Sequence, residues 1–288
     1  PALAEATPVT MRASRTRRTR TRWVAALGLA SAAAVALAVG PSLVSSTVAP
    51  PASASERLAR TARTVTPLDI PTGKFLHLVT ESSQTGGTAM AQPPGDTSGT
   101  TTPASVEKRR SQGWTAEDGT IWRVDTTTVG GQRHREVFRF DPPTSMPGLD
   151  GTPKGLTRWP TTAAALDAFL RSSLTAKPGV DADHQVFATL DDILYLPYAP
   201  SALRAAAIEV VAKLPESTVR DEGSRTTIAF ADPGNPGSVD TLVFDEGSAR
   251  VVERRTTAHS FAYQERLVSA DIVAAVPQDI LAGAIPQG

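Results

Sequence analysis

The stretch TIWRVDTTTVGGQRHREVFRF, residues 120–140, decides the fold class of this chain. Its first half, Thr120–Val129, is rich in aromatic and β-branched residues, which favour strands. Gly130 and Gly131 then provide a turn, and a second alternating segment follows. The two faces of that segment carry His134, Glu136, Phe138 and Phe140 on one side and Arg133, Arg135, Val137 and Arg139 on the other. This alternation predicts an antiparallel hairpin with one face toward solvent.

Two more strands are predicted before this hairpin. Residues 117–119 (EDG) favour a tight turn, because Asp-Gly adopts the positive φ that such turns need. Lys74–Thr80 alternates along its length, and Val106–Trp114 is placed as a strand by its position before the turn. Between them, residues 82–105 are rich in Gly, Thr, Ser and Pro, with Asp96 as their single charge. They carry too little apolar surface to fold, so we predict a disordered surface loop.

The middle of the chain changes to helical spacing. Three helices are predicted, over residues 159–174, over residues 183–197 with Asp183 as the N-cap, and over residues 200–215. The chain then returns to alternating segments punctuated by Gly, Pro and Asp. The strands predicted there are Thr218–Asp221, Thr226–Ala231, Val239–Asp245, Ala249–Thr257 and Phe261–Ile272.

This order of elements predicts an α+β fold. We expect a curved antiparallel sheet with a central block of about three helices packed on one face. The domain is predicted to occupy residues 67–276, followed by a tail over residues 277–288. That length is within the range of a single domain.

The N-terminal part differs from the rest in charge. The chain has a formal net charge of zero, but residues 1–54 hold six arginines and a single acid, Glu5, which leaves the remainder at −5. Residues 23–48 then carry no charge and begin with a run of Ala, Val and Leu. A basic segment before an apolar run is typical of membrane insertion with the arginines in the cytoplasm. We therefore predict a cytoplasmic segment at 1–22, a transmembrane helix or signal-peptide core at 23–48 and a linker at 49–66.

An anchor and a cleaved signal peptide are both compatible with this pattern. The uncharged run of 26 residues exceeds the roughly 20 residues that span a bilayer, which favours a single-pass anchor with its N-terminus in the cytoplasm. Residues 52–54 (ASA) fit a cleavage site, and cleavage would leave a secreted protein. The chain begins with Pro1, which fits either a true start at Met11 or a fragment with more cytoplasmic sequence upstream. Both alternatives place the bulk of the chain outside the cytoplasm.

The sequence contains none of the common motifs that identify an enzyme active site. It contains no Gly-rich phosphate loop, no GxSxG and no HExxH, and its lack of cysteine excludes a thiol nucleophile. Its four histidines are scattered at His77, His134, His184 and His259. A hydrolase would need one of them close to Ser, Asp or Glu in a cleft. We predict no catalytic residue, no metal ligand and no cofactor.

Acidic and aromatic residues have plainer interpretations. A faint resemblance to a calcium loop is formed by Asp181, Asp183 and the acidic pair at 191–192, but the turn glycine of such a loop is missing. Helix capping explains Asp183 more simply. Trp114 and Trp122 flank the predicted turn and favour aromatic packing between strands.

The arginines of the second hairpin strand leave two interpretations open. A row of Arg133, Arg135 and Arg139 is usually a solvated strand face, but it is also suited to an anionic headgroup or a partner. The acidic remainder of the chain would repel phosphate, so we predict no nucleic-acid partner.

Two longer segments carry recognisable motifs. Residues 195–215 are YLPYAPSALRAAAIEVVAKLP, where 199–204 form a Pro-containing helix start, and residues 241–256 are TLVFDEGSARVVERRT, where 242–245 match a Leu-(Ile/Val)-Phe-Asp strand. Together with the Arg-rich segment and the Ala-rich run, they resemble an uncharacterised actinobacterial family of single-pass membrane proteins. The resemblance implies a short cytoplasmic part and an extracytoplasmic domain. The order of strands and helices is also similar to lipoprotein-carrier half-barrels and to the sensing domains of periplasmic sigma-factor regulators, by analogy of fold alone.

These observations predict a membrane-anchored, non-enzymatic domain outside the cytoplasm. We expect it to contact the membrane through its N-terminal helix and to bind a lipid-like ligand, a peptide or an envelope protein. An envelope hydrolase with an unrecognised site and a purely structural envelope module are the alternatives.

Overall fold

The computed structural model describes residues 52–86, 106–141, 149–174, 180–258 and 261–287. The strands are β1 (Phe75–Thr85), β2 (Glu107–Ala116), β3 (Ile121–Val129), β4 (Gln132–Phe140), β5 (Ser217–Asp221), β6 (Arg225–Ala231), β7 (Val239–Asp245), β8 (Arg250–Ala258), β9 (Phe261–Val273) and β10 (Ile285–Gln287). The helices are α1 (Ala54–Thr64), α2 (Pro153–Leu156), α3 (Ala163–Ser173), α4 (Ala182–Tyr195), α5 (Ser201–Val211) and α6 (Gln278–Gly283). The α+β class is therefore confirmed.

All ten strands belong to one open sheet. Their order is β10-β4-β3-β2-β1-β9-β8-β7-β6-β5. Strands β1 to β4 form one antiparallel meander and β5 to β9 form another, and the two meanders join where β9 pairs with β1. The helices α2 to α5 lie between the meanders in the chain.

The expectation of an entirely antiparallel sheet was wrong at one edge. Strand β10 pairs with β4 in parallel, with Ile285 opposite Phe138. Residues 277–288, predicted to be a tail, thus contribute both α6 and β10. Three residues are too short for an alternation pattern to be visible in the sequence.

The linker predicted at residues 49–66 contains a helix that belongs to the core. Ser53 caps α1 through a capping box with Glu56, whose carboxylate accepts from the Ser53 N–H. Leu58, with Ala59 and Ala62 on the same side of α1, is fully buried against the domain. The linker prediction failed because two small alanines and one leucine make a narrow apolar stripe among many polar residues.

The central helical block is confirmed as α3, α4 and α5, with the short α2 before it. The N-cap of α4 is Asp181, which accepts from the backbone N–H groups of Asp183 and His184. The prediction of Asp183 as the cap was wrong by two residues. Asp183 lies in the first turn instead and forms a 2.6 Å ion pair with Arg171 on α3.

Two clusters of buried side chains lie on opposite faces of the sheet. The larger fills the space between α1 to α5 and the face that carries Leu76, Ile228 and Leu242, which we call the helix face. The smaller packs Ile280 of α6 against Val137 on the other face. The expectation of helices on one face therefore applies to α1 to α5, while α6 covers one corner of the opposite face.

Several predictions concern segments that the structure describes in part or not at all. The segments at 1–22 and 23–48 lie outside the described residues. None of the helices in the described part of the chain is long and apolar enough to cross a bilayer. Of the loop predicted at 82–105, residues 82–85 are the end of β1, and residues 87–105 lie outside the described part.

Helix α1 should contribute strongly to stability if it belongs to the core. Leu58 is 1% exposed, so we expect Leu58→Ala to lower the free energy of unfolding by about 2–5 kcal/mol, through lost burial and the cavity left behind. Urea denaturation of the full chain in detergent measures this change. The exposed Arg60→Ala on the same helix is the control, with an expected change within about 0.5 kcal/mol. Equal stability of the Leu58→Ala variant and the wild type would show that α1 is a dispensable linker.

Candidate binding surface

Of the histidines proposed for a hydrolase, the three in the described part of the chain do not share a site. His77 on β1 stacks on the Trp114 ring of β2, with ring centroids 4.7 Å apart. His134 is exposed on β4, whereas His184 on α4 lies beside Phe230 of β6, and six strands separate β4 from β6 in the sheet. His259 lies outside the described residues. The sheet thus keeps these side chains in separate surroundings.

Among the described histidines, His184 is the one whose ring nitrogen lies within 4.0 Å of carboxylate oxygens. Its Nδ1 lies 3.0 Å from Asp232 Oδ2 and 3.9 Å from Asp240 Oδ2. The side chains of His184 and Asp232 are only 10% and 6% exposed, and Phe230 lies beside the imidazole. This contact joins the first turn of α4 to the connection between β6 and β7. Its enclosure gives it a structural role, because a substrate must reach a general base.

The remaining acidic and aromatic candidates have local roles. Asp118 Oδ1 accepts from the Thr120 N–H in the β2–β3 turn, where Gly119 has φ +90°. Trp114 and Trp122 are partners in the register of β2 and β3, and the Trp122 ring packs edge-on against Phe75 of β1 with centroids 5.8 Å apart, which agrees with the predicted aromatic packing between strands. Among the residues that the structure describes, no group of three His, Asp or Glu side chains could hold a metal ion.

A charged cluster that the sequence analysis missed lies beneath α4. Arg254 on β8 donates to Glu265 on β9 at 2.7 Å and stacks over the Tyr195 ring of α4, with its guanidinium carbon 4.3 Å from the centroid. Asp191 of α4 lies 3.5 Å from Arg254, and Tyr263 donates to Glu265 at 3.0 Å. These residues are distant in sequence, so the folded sheet is needed to bring them together.

Burial and charge act in opposite directions within this cluster. Burial raises the pKa of the Asp191 carboxyl to about 7, although the positive charge of Arg254 opposes the rise. Burial also disfavours the charged form of Glu265, but Arg254 and hydrogen bonds from Arg254, Thr80 and Tyr263 outweigh it and lower its pKa. Glu265 is therefore the stable counter-ion of Arg254, and Asp191 takes up a proton near neutral pH.

The face opposite the helices carries two rows of polar side chains across six strands, and we call it the ladder face. The register of β8, β9, β1, β2, β3 and β4 defines both rows. The first row is Glu253, Arg266, Glu81, Arg110, Thr126 and Arg135. The second row is Arg255, Gln264, Ser83, Lys108, Thr128 and Arg133. Both rows lie beside an open depression of about 420 Å³.

Each charged residue of the first row has an oppositely charged partner. Glu81 accepts from Arg110 at 2.6 Å and from Arg266 at 3.3 Å. Arg135, at the end of the row, pairs with Asp279 of α6 at 2.9 Å. Opposite charges on adjacent strands are a common way to stabilise an exposed sheet face.

The second row contains three cations and no acid. Arg255 pairs with Glu253 of the first row. Lys108 and Arg133 are exposed, and neither belongs to an ion pair among the described residues. They are separated by one intervening strand, which places them about 10 Å apart. The second row therefore leaves two positive charges available at the edge of the depression.

Part of this surface was visible in the sequence. The predicted arginine row splits in the structure: Arg133 lies beside the depression, Arg135 pairs with α6, and Arg139 pairs with Asp141 at 3.1 Å. Lys108 was missed because its face depends on the register between β2 and β3. The alternation of the two strands could have identified it once that register was known.

Comparisons with known proteins give little further information. No family model matches the chain, and no curated protein matches it. A chain in the complex structure of Pseudomonas aeruginosa MucA/MucB is similar over 80% of this chain and 60% of that chain, at 11% sequence identity and a TM-score of 0.29. The described chain thus spans about three-fifths of that protein's length. A TM-score this low establishes neither a common fold nor a common function.

The Asp191 carboxyl should make stability depend on pH. Its pKa is about 7 in the folded state against 3.8 for an ordinary Asp, so its stabilising contribution is complete below about pH 4 and is lost as the pH rises through 7. We expect Asp191→Asn to gain stability relative to wild type between pH 5 and pH 8, by at least about 1 kcal/mol. Urea denaturation of both proteins at four pH values measures the difference.

Asp69→Asn is the matched control, because it makes the same substitution at an exposed aspartate. Its stability should follow that of the wild type across the same pH range. If Asp191→Asn also runs parallel to the wild type, burial does not govern the protonation of Asp191.

Proposed function

We propose that this chain is a membrane-anchored, non-enzymatic envelope protein that binds a partner outside the cytoplasm through its ladder face. The anchor and the orientation rest on the arginines of residues 1–22 and the uncharged run at 23–48. The binding role rests on the surface of the described domain.

The second row of the ladder face carries the proposal. In the first row, every charged residue has an ion-pair partner, which for Glu253 is Arg255 of the same strand. Lys108 and Arg133 differ, since they are exposed beside an open depression without such a partner in the described chain. Their positive charge raises the local concentration of an anionic ligand and assists its association.

The packing on the helix face favours binding of a partner at the protein surface over binding of a lipid in an internal cavity. Leu190 and Ile193 of α4, Leu203 of α5 and Phe230 of β6 are each 0% exposed within one continuous cluster. These side chains occupy the space between the helices and the sheet. A lipid chain in that space would have to displace them, at a cost of several kcal/mol.

The contacts of the buried charged groups favour a binding role for the domain over a catalytic role. The His184–Asp232 contact is enclosed, and Arg254 is held by Glu265 on one side and the Tyr195 ring on another. The Tyr195 stack fastens α4 to β8, the His184–Asp232 contact fastens α4 to the β6–β7 connection, and the Arg254–Glu265 bond joins β8 to β9. Groups committed to the core in this way are poorly placed to act on a substrate.

Helix α1 would keep such an anchored domain close to the membrane. Only residues 49–53 separate the proposed span from α1, and five extended residues reach at most about 18 Å. Because Leu58 is buried in the core, α1 cannot extend that reach without partial unfolding. A partner on the ladder face would therefore be met near the membrane surface.

The orientation can be tested by labelling single cysteines, because the chain contains none of its own. We expect a membrane-impermeant maleimide to label Lys213→Cys in intact cells, since Lys213 is exposed in the described domain. Ser14→Cys, in the proposed cytoplasmic segment, should be labelled only after lysis. Protection of Lys213→Cys until lysis would contradict the proposed orientation. A mature protein that lacks position 14 would replace the anchor with a cleaved signal peptide.

The binding surface can be tested by photo-cross-linking in native cells. A photo-reactive amino acid at Thr128, in the second row, should give a discrete adduct, and the adduct should weaken at least fivefold in the K108Q/R133Q background. The same group at Lys213, on the helix side, is the control and should not give that adduct. No adduct from Thr128, or the same adduct from both positions, would contradict the proposed surface.

A further inference from the structure

We infer that the second row of the ladder face recognises an extended, acidic polypeptide segment that carries carboxylates three residues apart. This inference rests on the proposed function and specifies the chemistry of the partner. It follows from the spacing of two cations, the groups between them and the acids beside them.

The spacing of the cations suits a left-handed extended peptide. Lys108 and Arg133 lie on strands separated by β3, about 10 Å apart. In a polyproline II segment every third residue faces the same side, with a rise of about 3.1 Å per residue. Side chains at i and i+3 are thus about 9 Å apart on one side. Two such carboxylates can meet Lys108 and Arg133 together when the segment crosses the strands.

The groups between the cations suit an exposed peptide backbone. Thr128 lies directly between Lys108 and Arg133 in the second row, and Ser83 and Gln264 continue the row beyond Lys108. Their hydroxyl and amide groups both donate and accept hydrogen bonds. A polyproline II segment makes no hydrogen bonds within itself, so its peptide groups need such partners.

The ion-paired charges of the first row disfavour a densely charged polymer. Glu81 and Glu253 lie two residues along their strands from the second row, a distance of about 7 Å. A nucleic acid or polyphosphate carries charge at every repeat and would place anions beside carboxylates and beside arginines that already have ion-pair partners. A peptide can place neutral residues there and acidic residues only beside the cations.

The shape and composition of the surface disfavour a bilayer. Lys108 and Arg133 border a depression, which a planar membrane surface would bridge without filling. Proteins that bind at the bilayer interface insert apolar side chains beside their cations. Every member of the second row is charged or polar.

Binding of defined probes to the full chain tests the inference. The full chain, held in nanodiscs of zwitterionic lipid, is titrated into a fluorescent (Pro-Pro-Glu)4 peptide, and anisotropy is measured at low and at physiological salt. We expect saturable binding that weakens with salt, and no binding of (Pro-Pro-Gln)4. Affinity for the acidic peptide should fall at least tenfold in K108Q/R133Q.

The matched control is R60Q/K213Q, which removes two exposed cations from the helix side. It should bind the acidic peptide within twofold of the wild type. Because all four substituted residues are exposed, circular dichroism should show the same folded spectrum for both variants. Equal losses in the two double variants, or no binding of the acidic peptide, would overturn the inference.

Linear polyphosphate and vesicles containing one-third phosphatidylglycerol serve as the competing ligands. If either binds in a K108Q/R133Q-sensitive way while the peptide does not, the inference about a peptide is wrong and the ladder face remains a binding surface. A Thr128 adduct with a species other than an acidic peptide segment would likewise contradict the inference about a peptide and leave the ladder face as a binding surface. Absence of any Thr128 adduct would overturn the proposed function itself.

Discussion

The pairing of β1 with β9 is the interaction on which the rest of the structure depends. It runs along β1 from Phe75 to Thr85 and joins the two meanders, which are separated in the chain by the helical block. Without it the sheet would divide into two smaller sheets. The pairing also fixes which residues share a row, because a shift of one residue would exchange the two faces of a strand. Both the buried helix face and the charged ladder face follow from this register.

The two faces of the sheet are stabilised by different interactions. On the helix face, apolar side chains exclude water, and the ionic cluster around Arg254 is tolerated because Glu265 and the Tyr195 ring surround the guanidinium. On the ladder face, charges on neighbouring strands compensate one another in the first row but not at Lys108 and Arg133. A stable sheet does not require two uncompensated cations beside a depression. Because stability does not explain these two cations, we infer that they serve the function of the domain.

The sequence predicts local elements well and distant contacts poorly. The segment Arg133–Phe140 was expected as a strand and is part of β4, because its alternation is a local property. Helix α1 was missed because its stripe is narrow, and β10 because it is short. The faces of Arg133 and Val137 could be assigned from β4 alone. Lys108 could join Arg133 in one row only once the pairing of three strands was known, which no single segment encodes.

Anomalous diffraction from crystals soaked in bromide tests most directly whether the second row is an anion-binding surface. Bromide is a small anion without shape preferences, so its positions report positive charge that lacks a counter-ion. The account predicts bromide sites beside Lys108 and Arg133, away from lattice contacts, and weaker occupancy beside Arg110 and Arg266, which share the Glu81 carboxylate. Bromide spread evenly along both rows, or absent from the second row, would contradict it.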